Sequence, residues 1–314
     1  MTAPHPPGAD DDANRKLIWA SVYRTLLQHA HPDARFNHDY MSFTPDFRGS
    51  SSAIDRLVSL PCYKSAAVIL ITPDNSLEHL RCRALKDGKK VLVATYRLRR
   101  GFVLLHPGRI AETKYEIAAC LDGMEKPGIG RSVSLAQMRD EGLKVDMCVT
   151  GALVFNAQGV TIWEGHNLFE IQYAMLSDLG VLRAERPVVA VAHDCQVVDE
   201  AALGVEKVTV SPTRKGEVQC DFVVTPDALH EIEGAVKPTQ GVDFDAIDPE
   251  GVENIPPLQE LRGIRMMEMI MRKEGFVSGK EEKADEEGEG GGKMSEEEQM
   301  GVSIVEKLMQ SYRA

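Results

Sequence analysis

The chain has 314 residues, 43% of them hydrophobic, and a formal net charge of −12. That length buries one large core or two smaller ones. The acidity sits at the ends: Lys280 to Glu298 carries nine carboxylates against three lysines, and Asp10, Asp11 and Asp12 add three more charges. What remains is near neutral and shows no strongly basic face, which argues against nucleic acid as a partner. No apolar run reaches the roughly 20 residues needed to cross a bilayer, and no targeting segment stands at the N-terminus, so the expected setting is cytoplasmic with no membrane contact.

Taken in order, residues 1–13 are Pro-rich and acidic and read as a disordered leader. From Arg15 to about His29, Ile18, Val22 and Leu26 recur at four-residue spacing and predict a helix with one buried face. Ser51 to Leu60 forms a short helix before Pro61. Ala66 to Thr72 is a continuous apolar run, as in a strand buried on both faces of a parallel sheet. A helix over Ser76 to Lys86, a stop at Gly88 and a strand over Val91 to Thr95 complete a βαβ crossover. Residues 96–144 read as peripheral connections, with short helices near Thr113 to Leu121 and Leu135 to Glu141.

Val145 to Phe155 returns to the sheet, with Gly151 marking a bulge or a close approach. A glycine-punctuated loop, Asn156 to Asn167, then leads into a helix striped by Leu168, Ile171, Met175 and Leu179. Strand, loop and helix in that order can bring unpaired amides and a positive dipole end to a phosphate or carboxylate, although most such units bind nothing. Pro187 to His193 and Cys220 to Pro226 supply two further strands, after which no more are expected. The alternation predicts an α/β fold, a mostly parallel sheet flanked by helices. Leu258 to Lys273 reads as a Met-rich helix. Residues 273–294 form an acidic Gly, Glu and Lys linker, and 295–314 an amphipathic helix opened by the Ser295 and Glu298 capping box, suited to a protein partner or to its own domain. Six cysteines without a Cys-x-x-Cys pair indicate neither a zinc site nor a disulfide framework.

Several blocks then resemble the 5-formyltetrahydrofolate cyclo-ligase family, also called methenyltetrahydrofolate synthetases. They are Val145-Asp-Met-Cys-Val-Thr-Gly151, Gly159, His193-Asp-Cys-Gln-Val-Val-Asp199 and Asp221-Phe-Val-Val-Thr-Pro226. Thr72-Pro-Asp74, Arg81, Ala84-Leu85, Gly88-Lys89, Ile255 to Leu261, and Arg15 with Ile18-Trp19 are similar to its divergent branch of methenyltetrahydrofolate synthase domain-containing proteins. The likeness runs over roughly residues 14–272. It implies a sugar-phosphate isomerase and CoA-transferase type of α/β domain, with ATP and Mg²⁺ as cofactors and a folate or nucleotide as small-molecule ligand. The implied activity closes 5-formyltetrahydrofolate to 5,10-methenyltetrahydrofolate by phosphorylating the formyl oxygen, a reaction that needs cations and amides aimed at phosphates. Carried over residue by residue, the likeness makes Arg15, Gly159, Gly165, His166, Asn167, His193 and Gln196 candidate cofactor-binding positions and Glu170 the candidate metal carboxylate.

One loop departs from the pattern. The family places a motif resembling Gly-(Arg/Lys)-Gly-x-Gly-Tyr-x-Asp where this chain has Trp163-Glu-Gly-His-Asn-Leu-Phe-Glu170. Only Gly165 stands at a family glycine, and Glu164 replaces a cation by an anion. At ~5 Å and an effective dielectric of ~20, that reversal is worth several kcal/mol before screening. A lysine often found four residues before the N-terminal arginine falls at Asp11. Two readings follow. One is a divergent, non-catalytic nucleotide- or folate-binding or regulatory protein with a degenerate phosphate loop; the other is an active ATP- and Mg²⁺-dependent cyclo-ligase of one-carbon metabolism. Bland roles stay open for single residues: His193 and Gln196 can satisfy backbone groups, Arg15 can pair with a surface carboxylate, and Gly159 can serve a turn.

Overall fold

A computed structural model describes residues 9–165, 168–183, 185–210, 216–247 and 249–273. The chain divides into a unit of residues 1–257 and a second of residues 258–314. The expected linker over 273–294 and helix over 295–314 lie outside the described residues, apart from Lys273.

The first unit opens with helix α1 (Ala9–Leu26). It starts inside the expected leader, because neither Pro nor Gly interrupts the chain between Ala9 and Leu26. Helices α2 (Ser50–Ser59) and α3 (Pro61–Ser65) lead into strand β1 (Val68–Ile71). Helix α4 (Glu78–Lys86) carries the chain to β2 (Lys90–Ala94), parallel to β1 with Leu70 opposite Leu92. The stretch expected to be irregular contains two strands, β3 (Phe102–Leu105) and β4 (Arg131–Val133), with α5 (Tyr115–Ala119) between them and α6 (Leu135–Asp140) after. Both strands are antiparallel additions at the sheet edge, too short to show a period.

Val145 to Phe155, expected as one strand, divides into two. Strand β5 (Met147–Thr150) pairs with β1 in the main sheet, whereas β6 (Val154–Asn156) belongs to a second sheet. The loop expected after it holds β7 (Thr161–Trp163), antiparallel to β6. Helix α7 (Phe169–Asp178), β8 (Val188–Val191), β9 (Val197–Val198) and β10 (Phe222–Val224) follow. A strand also appears past Thr225: β11 (Leu229–Glu231) turns back antiparallel onto β10. Helix α8 (Pro249–Asn254) closes the first unit, and α9 (Pro256–Lys273) runs from it into the second.

The main sheet has the order β11-β10-β8-β5-β1-β2-β3-β4, and the smaller one β7-β6-β9. Five central strands of the main sheet, β10 to β2 in that order, are parallel. Side chains on one face of it, among them Ile69, Ile71, Val91, Met147 and Val189, pack against Ile54 and Leu57 of α2 and Leu80 and Ala84 of α4. Leu70 and Cys148, of opposite parity, are buried too, so both faces are covered as parallel sheets require. The smaller sheet makes its own core with α1: Ile18, Val22 and Leu26 meet Val154, Ile162 and Val198. The mostly parallel α/β architecture is therefore as the sequence implies. Among the described residues no helix is long and apolar enough to cross a membrane.

Candidate functional site

Where β1 ends, Thr72, Pro73 and Asp74 turn over the carboxyl edge of the sheet, the edge at which α/β folds place ligands. Arg81 of α4 holds this turn from beneath. Fully buried, it donates through Nε to the Ala119 carbonyl (2.7 Å) and through Nη1 to the carbonyls of Thr72 (2.8 Å) and Asp74 (3.0 Å). Burial lowers its pKa to about 10, so it stays charged at neutral pH. The Asp74 Oδ2 accepts the Thr72 hydroxyl and the Gly151 amide, the latter at 3.0 Å. Gly151 sits where the chain leaves the main sheet for β6. A Cβ built on it would stand 3.1 Å from Asp74 Oδ2 and 3.2 Å from Ser76 Oγ, so the close approach suggested by the sequence is real. Two buried hydroxyls at this edge, Thr44 Oγ1 and Ser76 Oγ, have no hydrogen-bond partner among the described residues.

The adjoining wall is the loop from β7 to α7. The Glu164 side chain turns onto the first amides of α7 and accepts from Glu170 N at 3.2 Å, with Phe169 N as a second donor. Gly165 at φ +86 and Leu168 at φ 55 set the turn, and Leu168 is a non-glycine residue held in the left-handed region, a strain of about 1–3 kcal/mol. His166 and Asn167, between them, lie outside the described residues. Glu170, in the first turn of the helix, accepts from Val218 N at 3.4 Å. Burial raises the pKa of both glutamates well above the ordinary 4.5. The charge of Asp74 adds to the rise at Glu164, and those of Glu164 and Glu217 add to it at Glu170, where Arg15 opposes them.

Arg15 lies on the same side but is fully engaged. Its guanidinium pairs with Glu217 at 2.9 Å, both side chains at most 7% exposed, and donates to the carbonyls of Thr161 (3.0 Å) and Ile162 (3.3 Å). It therefore ties α1 to β7 and to the segment before β10. Gly159, at φ +73, is a close-approach glycine: a Cβ there would meet the Cys220 carbonyl oxygen at 2.6 Å. His193 caps the turn after β8, its Nδ1 accepting from Cys195 N at 3.1 Å, and stacks on His29 at 4.2 Å. Burial and the neighbouring His29 lower its pKa. Gln196 is buried; its Oε1 accepts from His193 N (2.8 Å) and its Nε2 donates to the carbonyls of Ala152 (2.9 Å) and Leu153 (3.2 Å), pinning the crossing from β5 to β6.

The structure thus gathers Arg15, Gly165 and Glu170 around the α7 amides and sets His193 and Gln196 behind the crossing. Sequence reasoning did not name Thr44, Ser76, Glu164 as a cap, or Glu217. Glu217 lies 202 positions from Arg15, and no local pattern marks that pair.

A triphosphate at this loop needs open amides and a cation. The first amides of α7 are taken by a carboxyl side chain, the Arg15 guanidinium is committed to Glu217 and two carbonyls, and among the described residues the carboxyls of Asp74 and Glu170 stand beside them. The described residues of the loop do not fit ATP phosphates. Nor, among the described residues, does any group of three or more His, Cys, Asp or Glu side chains converge on a metal-holding arrangement.

Comparison with known proteins fits this framework. The family model of the 5-formyltetrahydrofolate cyclo-ligase family matches residues 24–213, and the chain belongs to that family. It is 29% identical to a methenyltetrahydrofolate synthase domain-containing protein of Danio rerio over 230 residues, 73% of this chain and 57% of that protein. It is likewise 29% identical to the protein of that description from Homo sapiens over 260 residues, 82% of this chain and 63% of that one. The chain therefore spans less than two thirds of the length of these relatives. Among solved structures it is similar to the Aquifex aeolicus 5,10-methenyltetrahydrofolate synthetase, with a TM-score of 0.39 and 15% identity over 72% of this chain and 95% of that one.

Proposed function

We propose that the chain is a ligand-binding member of its family: the carboxyl edge of the sheet, at the Thr72–Asp74 turn and the loop before α7, takes a folate-type molecule, without ATP-driven ring closure. The observation that carries this reading is the Glu164 carboxyl on the α7 amides. In either protonation state its oxygens fill the place where a phosphate would be bound, so the helix terminus already has its acceptor. What this edge offers instead is a set of hydrogen-bonding groups suited to a neutral heterocycle rich in N–H donors and carbonyl acceptors, as a pterin ring is. The raised pKa values let Glu164 and Glu170 act as acceptors or as neutral donors. Thr44 and Ser76 add two hydroxyls without partners among the described residues. A regulatory or sensing role follows, in which binding rather than turnover is the output.

Calorimetric titration with 5-formyltetrahydrofolate in the absence of nucleotide tests this. Saturable binding is expected, weakened about fivefold by Thr44→Val or by Ser76→Ala, the size of one neutral hydrogen bond of about 1 kcal/mol. Absence of binding without nucleotide contradicts the proposal, and so does binding that both variants leave unchanged.

A further inference from the structure

At the opposite, amino edge of the main sheet lies a cavity of about 370 Å³ whose chemistry is the reverse of the first site. Its walls come from the starts of β1 and β2, the end of β3, and the segments that enter β5 and β8. Lys90, His106, Arg109, Arg131, Lys144 and Arg183 line it, with Glu141 and Asp146 as its only carboxylates among the described residues. Both acids are already engaged. Glu141 holds Arg131 through two bonds of 2.8 and 2.6 Å. Asp146 accepts from Arg183 and from the amides of Ala67 and Val68, both at 2.9 Å. Lys144 donates to the carbonyl of Gly180. Among the described residues no carboxylate lies within ion-pair distance of Lys90 or Arg109.

With His106 neutral, five cations against two carboxylates leave a local excess of three positive charges, in a chain whose net charge is −12. His106 is oriented to add a donor: its Nδ1 accepts from Gly108 N at 3.0 Å, so the ring proton sits on Nε2. Lys90 and Arg109 line the same cavity as that ring. A concave wall of one sign concentrates small counter-ions, and paired guanidinium and ammonium donors favour phosphate oxygens.

We propose that this cavity binds a small oligophosphate, with Lys90, Arg109 and the His106 Nε2–H as its principal donors. A volume of this size and an excess of three positive charges suit two or three linked phosphates better than one. The proposal is independent of the folate reading, since the two sites stand at opposite edges of the sheet and share no residue.

The test is calorimetric titration of the full chain with sodium tripolyphosphate at low ionic strength, repeated at higher salt. One-site binding that weakens with salt is expected. Arg109→Gln should reduce affinity about tenfold, the effect of one lost charge-assisted contact. The double variant Lys90→Gln, Arg109→Gln should abolish binding, while Lys16→Gln, an exposed cation on α1, should leave it unchanged. Arg109 is exposed, so its replacement does not threaten folding. Competition by ATP assigns the phosphates to a nucleotide; tripolyphosphate binding without ATP competition assigns them to an inorganic chain. No heat with the unmodified protein overturns the proposal, and so does a loss with Lys16→Gln equal to that with Arg109→Gln.

Discussion

Glu164 and Glu170 carry the proposed exchange of one chemistry for another. Each gains its proton more readily in the folded chain than in the unfolded one, because burial and neighbouring carboxyls disfavour the charge. The sign follows from linkage: a carboxyl with a raised folded pKa contributes stability that is complete below the unfolded value of 4.5 and is lost as pH rises through the folded one. His106 and His193, with lowered pKa values, act in the opposite direction near neutrality. The informative quantity is therefore the difference between the protein and Glu170→Gln. Urea unfolding from pH 4.5 to 8 should show Glu170→Gln gaining stability relative to the unmodified chain as pH rises, by about 1–3 kcal/mol in total. A flat difference would mean that Glu170 ionises normally. Arg15 gives a second prediction. Arg15→Ala leaves Glu217 buried beside Glu170 without its cation and should cost about 3–5 kcal/mol, whereas Arg15→Met with Glu217→Leu should recover most of that loss in the same denaturation assay.

At the scale of elements, the site is made by the chain changing sheets. Val145 to Phe155 is apolar apart from Asp146 and Thr150, and periodicity alone reads it as one strand. What divides it is tertiary: Asp74 and Ser76 crowd Gly151, and Gln196 fastens the carbonyls of Ala152 and Leu153. Glycine marked the position in the sequence, but not that the next strand belongs to another sheet. Gly151→Ala should cost about 1–3 kcal/mol by overpacking. Gly159→Ala should cost more, since it combines a 2.6 Å contact to backbone with a left-handed φ. Thermal unfolding of the two variants ranks them; the reverse order would contradict the placement of these loops. Strands β3, β4, β7 and β11 were hidden for a simpler reason. Each has three or four residues and lies at or next to an edge of the main sheet or in the small sheet, where antiparallel pairing and not a sequence period defines it.

For the molecule as a whole, the order of βα units was legible because five strands of the central sheet are parallel and several are buried as continuous apolar runs. The altered loop was legible too, in Glu164 standing where a cation is expected. Its consequence was not, since a capping contact depends on how β7 meets α7 and on an Arg15–Glu217 pair joining distant segments. The two edges of the sheet also differ in charge. Among the described residues the carboxyls of Asp74, Glu164 and Glu170 gather at the carboxyl edge, and Lys90 and Arg109 stand at the amino edge, so the two proposals direct a phosphate ligand and a folate-type ligand to different ends of one domain. Nucleotide binding by itself would therefore not distinguish the two accounts of the loop. The decisive measurement is turnover: purified protein with MgATP and 5-formyltetrahydrofolate, followed by methenyltetrahydrofolate absorbance and ADP release in the same sample. The occupied α7 terminus predicts neither product over many enzyme equivalents of substrate. Stoichiometric ADP and methenyltetrahydrofolate, formed over repeated cycles, would contradict it.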